Sequence, residues 1–482
     1  MTNPGTNNQL NIIFLHPNLG IGGAERLIID SALALQSYRH NVEIYTSYHN
    51  TNHAFSETIG NGPLAPHIHV HGSYLPNSIY NKFYIVFAIM KSLYCALVIL
   101  LTVNKVDVII VDQLSVSIPL LRLIHNCRVM FYCHYPDLLL NTNRQSLWVQ
   151  LYRLPADYIE YITTSMSDII CVNSQYTLNT LLDTFHNIKD KHPHIPVLYP
   201  ATDTNKYDTL ELQYKQLTTD NNNNQQPYKY DALHADTATV QPLLQLPDDI
   251  ILFTSINRYE RKKNIQLSIQ SFSELKLKLP GDIFARCKLV IAGGYDDTNR
   301  ENIDYYPELR QYTLQCDLTR CTYPATDANV IYMKNITDLQ KYILLYKSTA
   351  VLYTPTNEHF GIVPIESMYC YCPVIACNTG GPLESIQNNV TGYLCNSNAD
   401  EWSNCMMKLC IDQKLSYTMG KAAHQRVIDK FSYNTFKSQL NQIVLQLAGT
   451  RFQPRNNDDN IVYMIVILII AAILIITIQL IL

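Results

Sequence analysis

Several marks that would classify a chain of 482 residues at once are missing from this one. Its thirteen cysteines include no Cys-x-x-Cys pair, so neither a zinc ribbon nor a dithiol redox centre is indicated. Scattered through apolar runs, as Cys95, Cys171 and Cys287 are, they read as reduced, mostly buried thiols of a cytosolic protein. The sequons at Asn335 and Asn389 would then stay unmodified. Basic surplus is absent too: the formal net charge is -4 and no Lys/Arg stripe appears, which argues against nucleic acid as a partner. No Asp-x-Asp occurs, so no acidic clamp for a diphosphate-bound metal is indicated and no metal is expected. The first ten residues hold no apolar core fit for a secretory signal. The first strand is not followed by Gly-x-Gly-x-x-Gly in register with an acid, so the opening is not a dinucleotide site.

What is present points to a folded protein that meets a membrane. The length calls for two or more domains, and apolar residues make up 47% of the chain against 16% charged. Residues 461–482 are apolar except for Tyr463, Thr477 and Gln479. At about 1.5 Å per residue they reach roughly 33 Å, enough for the hydrocarbon of a bilayer, and read as a transmembrane anchor. Residues 83–101 form a second apolar stretch, interrupted by Lys91, Ser92 and Tyr94. Lys91 near a bilayer centre would be costly, so this helix either crosses the membrane or, as the interruptions favour, lies on it or partly buried in the protein.

Alternating strands and helices organise the rest. Residues 11–15 and 42–46 are strands joined by a Gly-rich turn and an amphipathic helix over 24–36, a Rossmann-like opening. Gly22 and Gly23 stand at the helix start, either as a tight turn or to bring backbone N–H groups to a phosphate. Strands follow at 106–111, 129–132 and 169–172, with His134 and Asp137 just past the second of them. Ser174 is placed to cap the next helix. These segments give a first domain over 1–206. Residues 207–247, with the run Asn221 to Asn224, read as an Asn-rich insertion or linker. A second Rossmann-like domain over 248–447 has strands at 250–255, 288–292, 330–333, 350–353 and 374–376. Its first strand leads into Arg258, Arg261, Lys262 and Lys263. Positive charge is disfavoured at a helix N-terminus, so an anionic ligand explains that cluster, although a solvated helix start is the usual meaning of such a run. Gly293 and Gly294 follow the second strand, and Gly380 and Gly381 the last. Gly380 and Gly381 are either a turn or a phosphate cradle, whereas Gly293 and Gly294 alone are more often only a turn.

The most informative stretch is 356–368, with Glu358 and Glu366 set on either side of an apolar turn past a strand's carboxyl end, where open α/β sheets bind ligands. An isolated pair of glutamates is more often a solvated loop. The nine residues Glu358-His359-Phe360-Gly361-Ile362-Val363-Pro364-Ile365-Glu366, however, resemble the Glu-(seven residues)-Glu motif of the family 4 retaining glycosyltransferases. They are closest to the branch that extends the dolichol-linked precursor of N-glycans with alpha-1,3 and alpha-1,6 mannose. The resemblance implies an α/β GT-B fold, two Rossmann-like domains facing a cleft, with the first on the acceptor side and the second holding a nucleotide sugar. It implies catalytic roles for Glu358 and His134 and donor-diphosphate contacts from Arg258, Lys263, Gly22, Gly23, Gly380 and Gly381. Glu366, Gly293 and Gly294 would meet the nucleotide ribose or base, and Asp137 the acceptor. GDP-mannose would be the donor, with no cofactor, and a dolichyl-diphosphate-linked oligosaccharide the acceptor. Other mannosyltransferases of the pathway would be partners, and the domains would face the cytosol at the endoplasmic reticulum membrane. The competing readings are a membrane-bound GT-B enzyme with another donor and a non-catalytic tethered scaffold.

Overall fold

Two wholly parallel sheets form from the apolar runs, in a computed structural model that describes residues 9–76, 78, 84–140, 157–220, 239–450, 468, 471 and 472. Strands such as β4 (Val108–Asp112) are buried along their whole length, as parallel strands covered on both faces must be. The first sheet contains β1 (Asn11–His16), β2 (Asn41–Thr46), β3 (Ile68–Val70), β4, β5 (Arg128–Cys133) and β6 (Ile169–Val172), in the order β3-β2-β1-β4-β5-β6. The chain builds outward from β1 on one side and then returns to build outward from β4 on the other. The β1/β4 boundary is therefore a switch point, with a crevice beyond the strands' carboxyl ends. Register pairs Leu15 with Val111 and Asp112 with Tyr132, which brings His16, Asp112 and His134 to the same edge.

The second sheet holds β7 (Ile251–Ile256), β8 (Cys287–Gly293), β9 (Arg320–Thr322), β10 (Val330–Lys334), β11 (Ala350–Tyr353), β12 (Val374–Cys377) and β13 (Gly392–Cys395). Its order is β13-β12-β11-β7-β8-β10-β9, with the switch point between β7 and β11. The loops after β7, β8, β11 and β12 carry Arg258, Gly294, Glu358 and Gly380. β3, β9 and β13 were not among the expected strands. They are three or four residues long, too short to show an alternating pattern.

The chain divides into Met1–Ala201 with Phe436–Leu482, and Thr202–Thr435. The described residues Phe436 to Thr450 thus group with the first unit, whereas the sequence pattern runs the second domain to 447. His40 Nε2 lies 2.9 Å from Asn441 Oδ1, and Arg128 donates to the Thr450 carbonyl at 2.6 Å. The polar segment 207–247 is also not uniformly irregular. Thr204–Asp220 is a helix, anchored by the buried Tyr207 and Leu210. Asn221 to Asn224 lie outside the described residues, as does the expected anchor 461–482 apart from Leu468, Ala471 and Ala472.

The first unit's core encloses much of the apolar stretch near residue 90. The helix α2 (Tyr84–Thr102) is long and apolar enough to cross a membrane, yet Leu93, Cys95, Ala96 and Ile99 are packed into the core, while Tyr84 and Leu101 stay exposed. All thirteen cysteines are free, and eleven of them are buried.

Candidate active site

In the second unit, the sequence 356–368 folds as a loop and a helix. Gly361 has φ +81°, and a Cβ there would lie 2.9 Å from the Tyr353 hydroxyl. That close approach requires glycine. The helix Ile362–Tyr369 has Pro364 in its first turn, where a missing N–H costs no helical hydrogen bond. Glu358 lies in the loop and Glu366 on the helix, and each already holds a lysine. Lys263 Nζ is 2.5 Å from Glu358 Oε1, and Lys341 Nζ is 2.5 Å from Glu366 Oε2. Tyr353, buried beneath both carboxylates, has its phenol pushed well above its ordinary pKa by burial and by those two charges, which keeps it a neutral donor.

The cations after β7 are all countered within the unit. Arg258 and Lys262 each lie 3.2 Å from Glu260, and Arg261 is 2.5 Å from Glu308. Their exposure differs: the Arg258 side chain is 63% exposed and that of Lys263 12%. Arg261–Lys263 is a single tight turn closed by Asn264 in the left-handed region (φ +48°), and only then does the helix Ile265–Lys278 start. The cluster thus precedes the helix and bends back toward Glu358 through Lys263.

The glycine loops show what each position is for. A Cβ on Gly380 (φ +68°) would meet the Glu358 carbonyl at 2.5 Å, and one on Gly381 the Phe360 carbonyl at 2.2 Å. The Gly381 N–H donates to the Glu358 carbonyl at 2.7 Å. These glycines let the loop after β12 lie directly on the loop that carries Glu358. Gly293 (φ +152°) likewise allows β8 to end against Asn257, whose carbonyl a Cβ would meet at 2.0 Å, and a Cβ on Gly294 would lie 3.4 Å from the Arg258 stem.

In the first unit, α1 (Gly23–Ser37) starts after Gly22, whose backbone is extended (φ −170°). The space where a Gly22 side chain would go is filled by the Glu25 carboxylate. Beside it lies a cluster that only register assembles. Asp112 is buried at the end of β4, with Oδ2 2.7 Å from His16 Nδ1 and Oδ1 2.6 Å from His134 Nε2. The His16 contact is a well-aligned hydrogen bond, whereas the His134 contact is equally short but lies off the line of the ring N–H. Burial opposes a charge on His16, yet Asp112 and Glu25 outweigh it and push its pKa up to about 9. Burial likewise opposes a charge on Asp112, and the imidazoles of His134 and His16 overcome it, taking that carboxyl down to about 2. Asp137 opens a short helix whose first N–H groups, on Asp137 and Leu138, donate to Glu160 at 2.7 and 2.9 Å. Burial and the Asp137 charge push Glu160 up to about 7. Ser174 accepts from the Thr177 N–H as a helix cap.

The structure therefore brings Lys263 to Glu358 and Lys341 to Glu366 within the second unit, while His134 and Asp137 belong to the first. Sequence reasoning missed Lys341, His16, Asp112 and Glu160. The signal for Asp112 was a charged residue closing an apolar strand, a position from which a carboxylate needs a partner.

Comparison with known proteins places both halves. The description "Glycosyl transferases group 1" matches residues 238–426, and "Glycosyltransferase Family 4" matches residues 21–206. The alpha-1,3/1,6-mannosyltransferase ALG2 of Rhizomucor pusillus is 38% identical over 473 residues, 95% of this chain and 96% of that one. The human protein of the same name is 39% identical over 440 residues, covering 90% of this chain and 96% of its own. Among solved structures, a sucrose-phosphate synthase from Thermosynechococcus elongatus superposes with a TM-score of 0.64 at 18% identity, covering 91% of this chain and 99% of that one, a likeness of fold.

Proposed function

The chain belongs to the alpha-1,3/1,6-mannosyltransferases of glycosyltransferase family 4, and from that membership we propose that it transfers mannose from GDP-mannose to a dolichyl-diphosphate chitobiose bearing one mannose. An alpha-1,3 and an alpha-1,6 mannose are added with retention of configuration, in N-glycan precursor synthesis. The observation that carries the chemistry is the Lys263–Glu358 pair, which offers a cation for phosphate beside a carboxylate for the sugar.

In this reading the donor rearranges the pair. Its diphosphate draws Lys263 and Arg258, and Glu358, released from Lys263, faces the electron-poor sugar carbon that develops as the bond to phosphate breaks. Fixed cations thus take up leaving-group charge, with no metal assigned to that task. The backbone of the loops carrying Gly22, Gly23, Gly380 and Gly381 completes the phosphate contacts. Glu366, steadied by Lys341, accepts from ribose hydroxyls, beside Gly293 and Gly294. His134 serves the reacting sugar and Asp137 the acceptor. The acceptor's proton leaves with the departing phosphate in a front-face reaction. The domains face the cytosol at the endoplasmic reticulum membrane, tethered by 461–482 and working with other mannosyltransferases of the pathway.

The decisive experiment incubates the membrane-bound protein with several nucleotide sugars and a lipid-linked acceptor, followed by mass and linkage analysis. One and then two added hexoses, alpha-1,3 and alpha-1,6, from GDP-mannose alone are expected. Transfer from a different donor, or none, would overturn the assignment.

A further inference from the structure

Two imidazoles share the one carboxylate of Asp112. At 2.7 and 2.6 Å a ring nitrogen and a carboxylate oxygen cannot face each other lone pair to lone pair, so His16 Nδ1 and His134 Nε2 both carry hydrogen. That fixes the orientation of both rings and leaves one nitrogen undecided on each: His16 Nε2 and His134 Nδ1. Their surroundings differ. His16 is sealed from water, and its Nε2 is buried without an aligned partner, with Glu25 Oε1 3.9 Å away. The His134 ring is about one-fifth exposed and packs edge-on against Tyr132 at 5.0 Å.

The carboxylates against the cluster come from two elements, Asp112 at the end of β4 and Glu25 in the first turn of α1, while Glu160 acts on the neighbouring Cys133. The N-terminus of α1 offsets the Glu25 charge through its dipole. Asp112 has no such help, and a buried carboxylate is stabilised by one full positive charge held close. His16 lies between two carboxylates and makes the aligned hydrogen bond, so the extra proton belongs there. His134 then has no remaining charge to balance.

We propose that His16 is a positioning residue that neutralises Asp112 from behind and so keeps His134 uncharged, with its Nδ1 lone pair available to accept a hydrogen bond from a sugar hydroxyl. The inference rests on the mannosyltransferase reading for the identity of that hydroxyl but not for the proton arrangement. Without His16, the whole Asp112 charge falls on His134, which takes up a proton and becomes a donor at both nitrogens.

The test uses the full-length protein in detergent, with His16→Gln retaining a hydrogen-bonding group toward Asp112 and Glu25→Gln as a milder variant. Side-chain NMR of isotopically labelled histidine, assigned with His134→Gln, follows each imidazole through pH 5 to 9 and needs no sugar. His134 in His16→Gln should titrate higher by about one pH unit or more, and in Glu25→Gln by less in the same direction. In parallel, kcat/KM for GDP-mannose should fall about tenfold at pH 6 in His16→Gln and recover toward wild type by pH 8.5. An unmoved His134 titration, or an activity loss equal at every pH, overturns the proposal. If both variants lose their fold, shown by thermal unfolding, the wild-type spectrum still decides. There His16 must be the charged ring and His134 the neutral one at pH 7.5, and the reverse assignment overturns it. A chain that transfers no mannose would remove the functional reading and leave the titration result standing.

Discussion

The carboxyl edge of the first sheet gathers its charge on a histidine and an aspartate sealed from water, whereas the edge of the second uses lysines and an arginine that water still reaches. The side chains of His16 and Asp112 have no exposed surface. Those of Lys263 and Glu358 are 12% and 27% exposed, and that of Arg258 63%. The difference separates two kinds of control. A buried imidazole changes charge with pH and is out of reach of a soluble anion. A partly exposed Lys–Glu pair can exchange one anion for another. The first edge should therefore respond to protons and, on the proposed function, the second to ligand.

The harshest way to test that separation is to remove the shared carboxylate. Asp112→Ala leaves His16 and His134 without their counterion and should cost the first unit about 3 to 5 kcal/mol, read by chemical denaturation. If the edges are independent, GDP should still bind and protect the second unit from proteolysis, and loss of both together would break the comparison. On the other edge, Glu358→Gln keeps the shape and removes the charge. It should lower mannosyl transfer by on the order of 10² to 10³-fold with unfolding unchanged. Glu366→Gln should instead act mainly on the KM for GDP-mannose. Near-normal turnover by a folded Glu358→Gln would remove that carboxylate from the chemistry.

The same contrast explains what the sequence revealed. Glu358, Gly361 and Glu366 fall within nine residues, so their relation is local and can be read as a motif. His16 and Asp112 are 96 positions apart and meet only because β1 and β4 are neighbours in register. Nothing near either residue marks it, and sheet order is decided by the whole fold. Lys341 was hidden in the same way, on a helix 25 positions before Glu366. All strands but the short edge strands β3, β9 and β13 were legible because buried parallel strands are continuous apolar runs. The helix Thr204–Asp220 was not, since few apolar residues such as Tyr207 and Leu210 hold an otherwise polar segment. The return of residues from Phe436 to the first unit leaves no trace in composition. His40 and Asn441, 401 positions apart, reveal it.

A gentler probe is pH. His16 has its pKa raised from 6.5 to about 9, so its contribution is complete below pH 6.5 and is lost as pH rises toward 9. Asp112 is lowered from 3.8 to about 2, so its contribution is present above pH 4 and lost only in strong acid. Between pH 6.5 and 9 the first unit should therefore weaken by up to about 3 kcal/mol. Unfolding followed at pH 6.5 and pH 9 by tryptic fragments of each unit would show the first unit alone becoming labile. Equal weakening of both would mean that the buried imidazole is not the controlling group.

The smallest effects should come from the cations themselves, and their ratio tests the exchange assigned to the second edge. Lys263 holds Glu358, so Lys263→Ala should remove the proposed contact to the donor phosphate and also free Glu358 from its restraint. A charge-assisted hydrogen bond in this partly buried place is worth roughly 1.5 to 3 kcal/mol, so the KM for GDP-mannose should rise at least tenfold. Arg258 stands mostly in water and loses only a 3.2 Å contact to Glu260 when it turns to a ligand. Its exposed charge is screened, and Arg258→Ala should cost less than about 1 kcal/mol, a few-fold change in KM. Raised salt should shrink the Arg258 effect more than the Lys263 effect, because screening acts on the exposed charge. Steady-state kinetics of both variants at two ionic strengths measure this directly. Equal losses that respond equally to salt would show that exposure does not grade these two residues, and that Lys263 does not pass from Glu358 to the donor.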